Sequence, residues 1–177
     1  MKYKEAIINS MENLAKDPKR IFIGYNIING SQAYETLKTI PREKKLEVPV
    51  AENLMVGMAI GMAFEGFKPV VFFERHNFLI LGLDALSNHL STLERMSYNE
   101  FSAPIIIRAT VGAKNMLYPG PQHIADYSKE LRNMLSFPVY DPSTALEVME
   151  IYNSLRNSNN PAMVIERKEI YEKEWGL

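Results

Sequence analysis

Apolar and polar positions along the chain follow two periods, one typical of helices and one typical of buried strands. Over residues 4–16, Ile7, Met11 and Leu14 recur at helical spacing and define one apolar face. Short apolar runs bounded by glycine, proline or polar residues predict strands between the helices. The predicted helices cover residues 4–16, 31–39, 52–64, 78–96, 124–135 and 143–156. The predicted strands cover residues 21–25, 46–50, 68–73, 104–109, 137–140 and 162–166.

Strands that alternate with helices predict an α/β fold, a three-layer α/β/α structure built on a mostly parallel sheet. Ser31 and Ser143 stand where hydroxyl N-caps would start the second and the last helix, and Gly66 stands where a C-cap would close the third. Sheets of this kind carry their sites at the carboxyl ends of strands. The candidate site therefore lies in three loops, which follow Val50, Phe73 and Ala109.

Size and composition indicate one ordinary domain covering residues 1–177. The chain is 46% hydrophobic and 23% charged, values that fit neither a disordered nor a fibrous protein. A formal net charge of -1 gives no electrostatic basis for binding nucleic acid or an acidic membrane. The absence of cysteine excludes disulfides, thiolate nucleophiles and cysteine-based zinc sites.

We expect neither a signal peptide nor a membrane span. Residues 1–5 lack the apolar core with which a signal peptide begins. The most apolar run, residues 54–64, is shorter than the about 20 residues that cross a bilayer. The sequence therefore predicts a cytoplasmic protein.

Several common catalytic motifs are missing from the sequence. No Gly-x-Gly-x-x-Gly follows a strand, no P-loop is present, and there is no Gly-x-Ser-x-Gly elbow. His76, His89 and His123 lack the spacing of metal ligands, and His89 falls inside a predicted helix, where a structural role is expected. The motifs therefore indicate neither a nucleotide-phosphate site, nor a serine hydrolase, nor a metal centre.

Glu52 stands out because it lies where a predicted strand ends and an apolar helix begins. An acid in that position is commonly a first-turn residue that the helix dipole stabilises by about 0.3–1 kcal/mol. Taken alone, the position of Glu52 favours this structural role. The residues around it change that interpretation.

The segment around Glu52, residues 48–71, reads VPVAENLMVGMAIGMAFEGFKPVV. It resembles the pyrimidine-binding domain shared by transketolases and the beta chains of 2-oxoacid dehydrogenase decarboxylase components. The family's pattern is a short strand, Ile-Ala-Glu, a helix dotted with glycines, and Gly-x-x-Pro-Val. Gly57 and Gly61 share one helix face, and the resemblance implies that this face packs against its counterpart in a partner domain. Three methionines of this helix fit either an interface or the core: Met55, Met58 and Met62.

Later segments are similar to the same family, in the same order. Residues 72–78, followed by Asp84 and Asn88, are similar to Phe-x-x-Phe-x-Phe…Asp-Gln…Asn. IIIRATVG at residues 105–112 resembles Val-Ile-Arg-Ala-Pro-Val-Gly, and NPAMVIERK at residues 160–168 resembles Asp-Pro-Val-Ile-Phe-Leu-Glu-x-Lys. The turn DPST at residues 141–144 also resembles one in the beta chains. Each match is weak by itself, but together they are specific and cover nearly the whole chain.

The resemblance carries three functional residues over to this chain. Glu52 matches the glutamate that hydrogen-bonds N1′ of the aminopyrimidine of thiamine diphosphate, which leads to the ylide used in decarboxylation and carbon–carbon cleavage. Phe78 matches the aromatic residue that stacks on the pyrimidine ring, although a phenylalanine at a helix start is also typical of a core. His123 matches an active-site histidine near the reacting carbon, although Ile124 follows it where beta chains commonly have serine.

Four residues depart from the family's pattern. Tyr25 and Asn26 stand where the family often has Glu and Asp, so an acid is lost. Arg75 and His76 replace small or aromatic residues just before Phe78. If the side chains of Arg75 and His76 face the site, they favour an anionic or phosphorylated substrate. If those side chains face solvent, they carry no such meaning.

The other half of the family's cofactor site is missing from this sequence. In the family, a second domain holds diphosphate and Mg²⁺ through Gly-Asp-Gly followed downstream by Asn-Asn. No Gly-Asp-Gly precedes Asn159 and Asn160 here, and the sequence ends before a C-terminal transketolase-type domain. We therefore expect a diphosphate-binding, alpha-type partner chain that holds Mg²⁺, in an α2β2 assembly.

The resemblance implies a subunit of a thiamine-diphosphate-dependent enzyme that acts on a 2-oxo acid or a ketose and is inactive alone. Both acyl or ketol transfer and dehydrogenase-type decarboxylation remain open. The C-terminal segments favour the second, and the missing C-terminal domain argues against a standard dehydrogenase complex. A non-catalytic scaffold of the same fold is the alternative, and an unrelated α/β binding protein is a third. The joint presence of Glu52, Phe78 and His123 argues against the scaffold.

Overall fold

A computed structural model describes residues 1–113 and 119–175, which are built around one sheet of six strands. The strands are β1 (Arg20–Gly24), β2 (Lys45–Glu47), β3 (Lys68–Phe73), β4 (Ile106–Val111), β5 (Val139–Tyr140) and β6 (Ala162–Arg167). Their order across the sheet is β2-β1-β3-β4-β6-β5, and every neighbouring pair is parallel. The prediction of a mostly parallel sheet is therefore confirmed.

Helices cover both faces of this sheet. They are α1 (Tyr3–Ala15), α2 (Glu52–Phe64), α3 (His76–Leu79), α4 (Leu93–Met96), α5 (Ser128–Met134) and α6 (Ala145–Arg156). One core layer contains apolar residues of α2, α3 and α5, and the other contains those of α1 and α6. This is the predicted three-layer α/β/α architecture. No helix of the described ranges has both the length and the apolar character needed to cross a membrane.

Strand β4 runs through the middle of the sheet, and all six of its residues are buried. Ile106 is paired with Val70 of β3 on one side and with Ala162 of β6 on the other. A strand covered on both faces is expected to be continuously apolar. The two exceptions in β4 are Arg108 and Thr110, whose side chains are polar and fully buried.

Arg108 is neutralised inside the core by Glu166. Its Nε donates to Glu166 Oε1 at 2.7 Å, and its Nη2 donates to Glu166 Oε2 at 3.0 Å. The hydroxyls of Tyr152 and Tyr171 donate to the same carboxylate at 3.0 Å and 2.8 Å, and Thr36 Oγ1 accepts from Arg108 Nη2 at 2.8 Å. These five residues form a buried ion-pair cluster that joins β4, β6 and α6.

Residues 31–39 do not form the helix that the sequence predicts. Four consecutive non-glycine residues have left-handed φ values: Gln32 (49°), Ala33 (54°), Tyr34 (56°) and Glu35 (67°). This conformation costs L-residues roughly 1–2 kcal/mol each, so tertiary contacts must compensate. Ala33 and Leu37 are buried, and the Tyr34 hydroxyl donates to the backbone oxygen of Glu74 at 3.1 Å. The prediction was wrong because apolar spacing does not reveal this competing set of contacts.

The predicted helix over residues 78–96 is present but broken into short pieces. Between α3 and α4 the chain forms a 3₁₀ turn at Ile80–Gly82 and a π-helical segment at Ala85–Leu90. Gly82 packs tightly on α2, because a Cβ at this position would lie 3.1 Å from the carbonyl oxygen of Glu52. The segment is therefore shaped to fit the start of α2.

The predicted helix over residues 124–135 begins four residues late, at Ser128. Before that point, two backbone N–H groups donate to side chains instead of entering a helix. Ala125 donates to Asn77 Oδ1, and Tyr127 donates to His76 Nδ1, both at 3.1 Å. The predicted loop before this helix lies partly outside the described residues.

Capping residues fix the ends of two helices. Thr144, rather than the predicted Ser143, is the N-cap of α6, because its side chain accepts from the N–H of Glu147 at 3.1 Å. The N–H of Ser143 donates back to the Glu147 carboxylate at 2.6 Å. Gly66, with a φ of 79°, ends α2 as predicted. Strand β2 ends at Glu47, earlier than predicted.

Candidate functional site

Buried polar side chains lie together at the side of the sheet where the strands have their carboxyl ends; we refer to this side as the carboxyl edge. In the described chain, nine buried side-chain nitrogen or oxygen atoms lack a hydrogen-bond partner. Six of them lie at this edge, in Tyr25, Glu52, Arg75, His76, Thr110 and His123. Proteins rarely leave such atoms unpaired, so their concentration here marks a candidate site. We call these six residues the carboxyl-edge cluster.

Glu52 is the first residue of α2 and is only 3% exposed. The helix dipole favours an acid at this end of a helix. Even so, the Oε1 atom of Glu52 is buried and has no partner. Burying a charged group without pairing it costs free energy. This oxygen therefore keeps a hydrogen-bonding capacity that the chain does not use.

Phe78 and His123 meet at the same edge. Phe78 lies on α3 and is partly buried, and His123 ends a 3₁₀ turn, Pro121–His123. Their rings are 5.4 Å apart and nearly perpendicular, at 89°. The Nδ1 atom of His123 is buried without a partner. The Phe78 ring and an imidazole with an unpartnered nitrogen are thus in contact.

Residues 76–82 connect Glu52 with this ring pair. Phe78 lies within the segment and contacts His123, whereas Gly82 packs on the backbone of Glu52. The structure therefore brings Phe78 and His123 into contact and anchors Glu52 to the same short segment.

Gly112, just after β4, brings His123 close to Arg75. A Cβ at Gly112 would lie 1.9 Å from the carbonyl oxygen of His123, a distance that no side chain tolerates, and 3.5 Å from Arg75 Nε. The backbone of His123 therefore packs directly on the end of β4. Arg75 is half-buried beside this contact, so its side chain faces the candidate site.

His76 has a structural role instead. Its side chain is fully buried, its Nδ1 accepts from the N–H of Tyr127, and its ring stacks on that of Tyr127 at 6.5 Å. Burial lowers the pKa of His76 to about 4. A neutral His76 therefore holds the chain that leads into α5, whereas Arg75 lies beside the contact between Gly112 and His123.

Tyr25 is a member of the cluster that the sequence did not nominate. It follows β1 and is 6% exposed, and its hydroxyl has no partner. Burial first, then the charges of Glu52 and Glu74, and then a side-chain interaction with Glu52 that is too long for a hydrogen bond, raise the pKa of this hydroxyl. The loop is held by Glu47, whose carboxylate accepts from the N–H of Asn26 at 2.6 Å. The available signal was an aromatic residue where the family often has an acid.

The outer face of α2 is open and apolar. Gly57 and Gly61 are exposed, and a Cβ at either position would meet no atom within 4 Å. Leu54 and Phe64 on the same helix are 52% and 50% exposed. The methionines of α2 belong to the core instead: Met55 is buried, and Met58 and Met62 pack against the core.

Metal-binding chemistry is not indicated by this chain's own side chains. Within residues 1–113 and 119–175, no group of three or more His, Cys, Asp or Glu side chains is arranged to hold a metal ion. His89 lies on an exposed surface, where its Nε2 is 3.5 Å from Asp84 Oδ2.

Comparison with known proteins gives the family of this chain and confirms its fold. The sheet and the carboxyl-edge cluster define an α/β protein with a candidate ligand site at its strand ends. Residues 1–173 match the family described as "Transketolase, pyrimidine binding domain". The chain therefore belongs to the transketolase pyrimidine-binding domain family, as the resemblance of its segments indicated.

Relatives of this chain include beta subunits of a dehydrogenase component. The pyruvate dehydrogenase E1 component subunit beta of Staurastrum punctulatum is 27% identical over 164 residues, which cover 90% of this chain and 49% of that protein. Its counterpart from Cyanidium caldarium is 28% identical over 168 residues, which cover 90% of this chain and 50% of that protein. The chain spans about half the length of these curated relatives.

Solved transketolase structures share the fold. A split gene transketolase, solved as an inactive beta4 tetramer, aligns with a TM-score of 0.65 at 17% identity, over 94% of this chain and 50% of that one. The transketolase of Campylobacter jejuni aligns with a TM-score of 0.78 at 14% identity, over 98% of this chain and 26% of that one. The predicted fold class is confirmed.

Proposed function

We propose that this chain is the pyrimidine-binding subunit of a heteromeric thiamine-diphosphate-dependent enzyme. The enzyme cleaves or decarboxylates a 2-oxo acid or a ketose and transfers the resulting acyl or ketol unit. Family membership supports the class, and relatives named as beta subunits support the division between chains. The observation that carries the proposal is the buried, unpartnered Oε1 of Glu52 at the edge that holds Phe78 and His123.

The residues at this edge fit the pyrimidine half of thiamine diphosphate. Glu52 would hold N1′ of the aminopyrimidine through its free Oε1, and a hydrogen bond made in such a buried place is strengthened by the low dielectric. Phe78 would lie against the ring, and His123 would hold or move a proton near the reacting carbon. When bound, the cofactor supplies the electron sink for carbon–carbon cleavage.

A partner chain would complete the site. An alpha-type subunit would hold the diphosphate and Mg²⁺, in an α2β2 assembly. The open face of α2 supports docking, because Gly57 and Gly61 leave room for close approach and Leu54 and Phe64 present apolar surface. The small-molecule substrate would enter between the two chains.

Cofactor binding and proton exchange test the proposal. This chain is co-expressed with a diphosphate-binding chain of its own organism, and calorimetry follows thiamine diphosphate and Mg²⁺ binding to each chain and to the assembly. We expect binding by the assembly but not by this chain alone. In Glu52→Gln, we expect exchange of the thiazolium C2 proton, followed by NMR in deuterated water, to slow by about 10²–10⁴-fold.

The matched control is Glu65→Gln, because Glu65 is an exposed acid at the other end of α2. Its assembly should exchange the C2 proton at the wild-type rate. Wild-type exchange and turnover by Glu52→Gln would remove the catalytic role of that residue. An assembly that forms but never binds the cofactor would favour the non-catalytic scaffold.

The docking face is tested separately. We expect Gly57→Leu to leave the isolated chain folded, because Gly57 is exposed and no atom lies within 4 Å of an added Cβ, and to weaken assembly with the partner. Glu12→Leu is the control, because it adds a leucine to an exposed position of α1 in the opposite layer. Analytical ultracentrifugation measures the assembly, and undiminished association of Gly57→Leu would contradict the assignment of this face.

A further inference from the structure

Arg75 carries a positive charge that the chain does not neutralise. Its Nη1 donates to the backbone oxygen of Glu74 at 2.7 Å, but its Nε is buried and has no partner. Its guanidinium lies over the ring of Tyr34, 4.9 Å from the ring centroid. Arginine side chains in buried places are normally paired with an anion. This guanidinium therefore has free capacity to bind one.

Lys168 places a second cation against the same ring. It follows β6, and its Nζ lies 4.1 Å from the centroid of Tyr34. Tyr34 and Lys168 also line an open depression of about 320 Å³. The acids on its rim, Glu35 and Glu172, are paired with lysines near the N-terminus. The depression thus gives a small molecule access to Tyr34 and Lys168.

The Tyr34 ring, which contacts both cations, belongs to a segment of strained backbone. Tyr34 lies in the left-handed turn of residues 32–35, where each φ is unfavourable for an L-residue. Its hydroxyl is fixed by the backbone oxygen of Glu74. Strained backbone persists where the surrounding structure demands it, and it clusters at ligand sites.

Glu74 acts on Lys168 through its charge, but it forms no ion pair with either cation. In the described chain, neither Arg75 nor Lys168 forms an ion pair with a carboxylate. Glu74 is the neighbouring acid, and its carboxylate accepts from Ser31 at 3.1 Å and from Asn26 at 3.5 Å. Burial lowers the pKa of Arg75, and burial with the charge of Arg75 lowers the pKa of Lys168. A bound anion would relieve both effects.

We propose that Arg75, supported by Lys168, binds the oxyanion group of a small substrate, a phosphate or a carboxylate, beside His123. Arg75 Nε is already adjacent to Gly112, on which the backbone of His123 packs. A guanidinium binds such groups through charge-assisted hydrogen bonds. That the bound molecule is the substrate rests on the proposed function, whereas the oxyanion site itself does not.

Anion titration of the full chain, without cofactor or partner, tests the site. Inorganic phosphate and acetate are added at constant ionic strength, and NMR follows the Nε–H of Arg75 and the backbone N–H of Gly112. We expect saturable shifts of both signals. Arg75→Gln should weaken binding at least about tenfold, because a charge-assisted hydrogen bond is lost. Arg75→Lys and Lys168→Gln should each weaken binding less than Arg75→Gln.

Arg95→Gln is the matched control, because Arg95 is exposed on α4 and its loss should leave the affinity unchanged.

The two anions distinguish the two kinds of substrate. Tighter binding of phosphate assigns a phosphorylated substrate, and acetate binding that is equal or tighter assigns a carboxylate. No saturable shift with either anion, or an unchanged affinity in Arg75→Gln, would overturn the site. Arg75→Lys and Lys168→Gln keep the test valid if Arg75→Gln does not fold. Neither cofactor nor partner is present, so this result is independent of the cofactor experiment.

Discussion

Two sets of buried polar side chains surround the same sheet, and in one of them all polar side-chain atoms but one find hydrogen-bond partners within the chain. In the buried ion-pair cluster, Glu166 accepts four hydrogen bonds, two from Arg108 and one each from two tyrosines. The one unpartnered atom there is Nη1 of Arg108, whose guanidinium lies 5.1 Å from the ring centroid of Phe72. In the carboxyl-edge cluster, Glu52 and five neighbours each keep an unpartnered atom.

The difference separates stability from function. A buried polar atom that loses its partner costs about 1–3 kcal/mol, so a satisfied cluster holds the fold together. An unsatisfied cluster already carries that cost in the free chain, and such costs are characteristic of functional sites. Substitutions in the ion-pair cluster should therefore lower stability. Substitution of Glu52 in the carboxyl-edge cluster should instead spare stability and change binding or catalysis.

The largest expected effect is the loss of the buried arginine. Arg108→Met leaves Glu166 as an uncompensated buried charge, and we expect the free energy of unfolding to fall by about 3–5 kcal/mol. Urea denaturation followed by circular dichroism measures the change. Arg95→Met, at an exposed position, should stay within about 0.5 kcal/mol of wild type. A loss below about 1 kcal/mol in Arg108→Met would mean that the cluster does not hold the fold.

Low pH should lower the stability of the fold through His76, a member of the carboxyl-edge cluster. The pKa of His76 is about 4 in the folded chain and about 6.5 when unfolded, so the unfolded chain binds more protons between these values. The contribution of His76 to stability is therefore fully present above pH 6.5, and it is lost as the pH drops towards 4, by up to about 3 kcal/mol. Urea midpoints across this range measure the loss. His76→Gln should reduce the dependence of stability on pH, whereas His89→Gln, at an exposed site, should leave it unchanged. Equal dependence in wild type and both variants would contradict the assignment of this effect to His76.

Much of the fold could be predicted from periodicity, because burial of one or both faces of a helix or strand sets the spacing of its apolar residues. Strands β3, β4 and β6 and helices α1, α2 and α6 were predicted to within a few residues. The turn at residues 32–35 was missed because its left-handed backbone depends on distant contacts, such as that of Tyr34 with Glu74. No local pattern reports those contacts.

The site was predictable only where resemblance supplied a role. Glu52, Phe78 and His123 were nominated by matching segments, and the contact of Phe78 with His123 needed the structure. The sequence left two orientations open for Arg75 and did not nominate Tyr25. Which way a loop side chain points is decided by packing, here by the approach of His123 to Gly112.

Two glutamates sharpen the comparison directly. Glu52→Gln replaces a buried carboxyl group whose Oε1 has no hydrogen-bond partner, so we expect stability within about 1 kcal/mol of wild type or above it. Glu166→Gln weakens four hydrogen bonds to a carboxylate and leaves Arg108 uncompensated, so we expect a loss of about 2–3 kcal/mol. Urea midpoints of both variants are compared with wild type. Equal losses at the two positions would show that Glu52 is also held by the fold.

The smallest expected effect comes from two buried tyrosines that differ in one contact. The hydroxyl of Tyr152 donates to Glu166 at 3.0 Å, whereas that of Tyr25 has no partner. Tyr152→Phe should cost about 1–2 kcal/mol, because a hydrogen bond to a charged group is lost. Tyr25→Phe should be neutral or stabilise the chain by up to about 1 kcal/mol, because a polar atom leaves an unsatisfied position. Thermal denaturation resolves the pair, since both variants remove the same atom from buried rings. If Tyr25→Phe were the more damaging of the two, the Tyr25 hydroxyl would have a partner within the chain, and the contrast between the clusters would fail at that position.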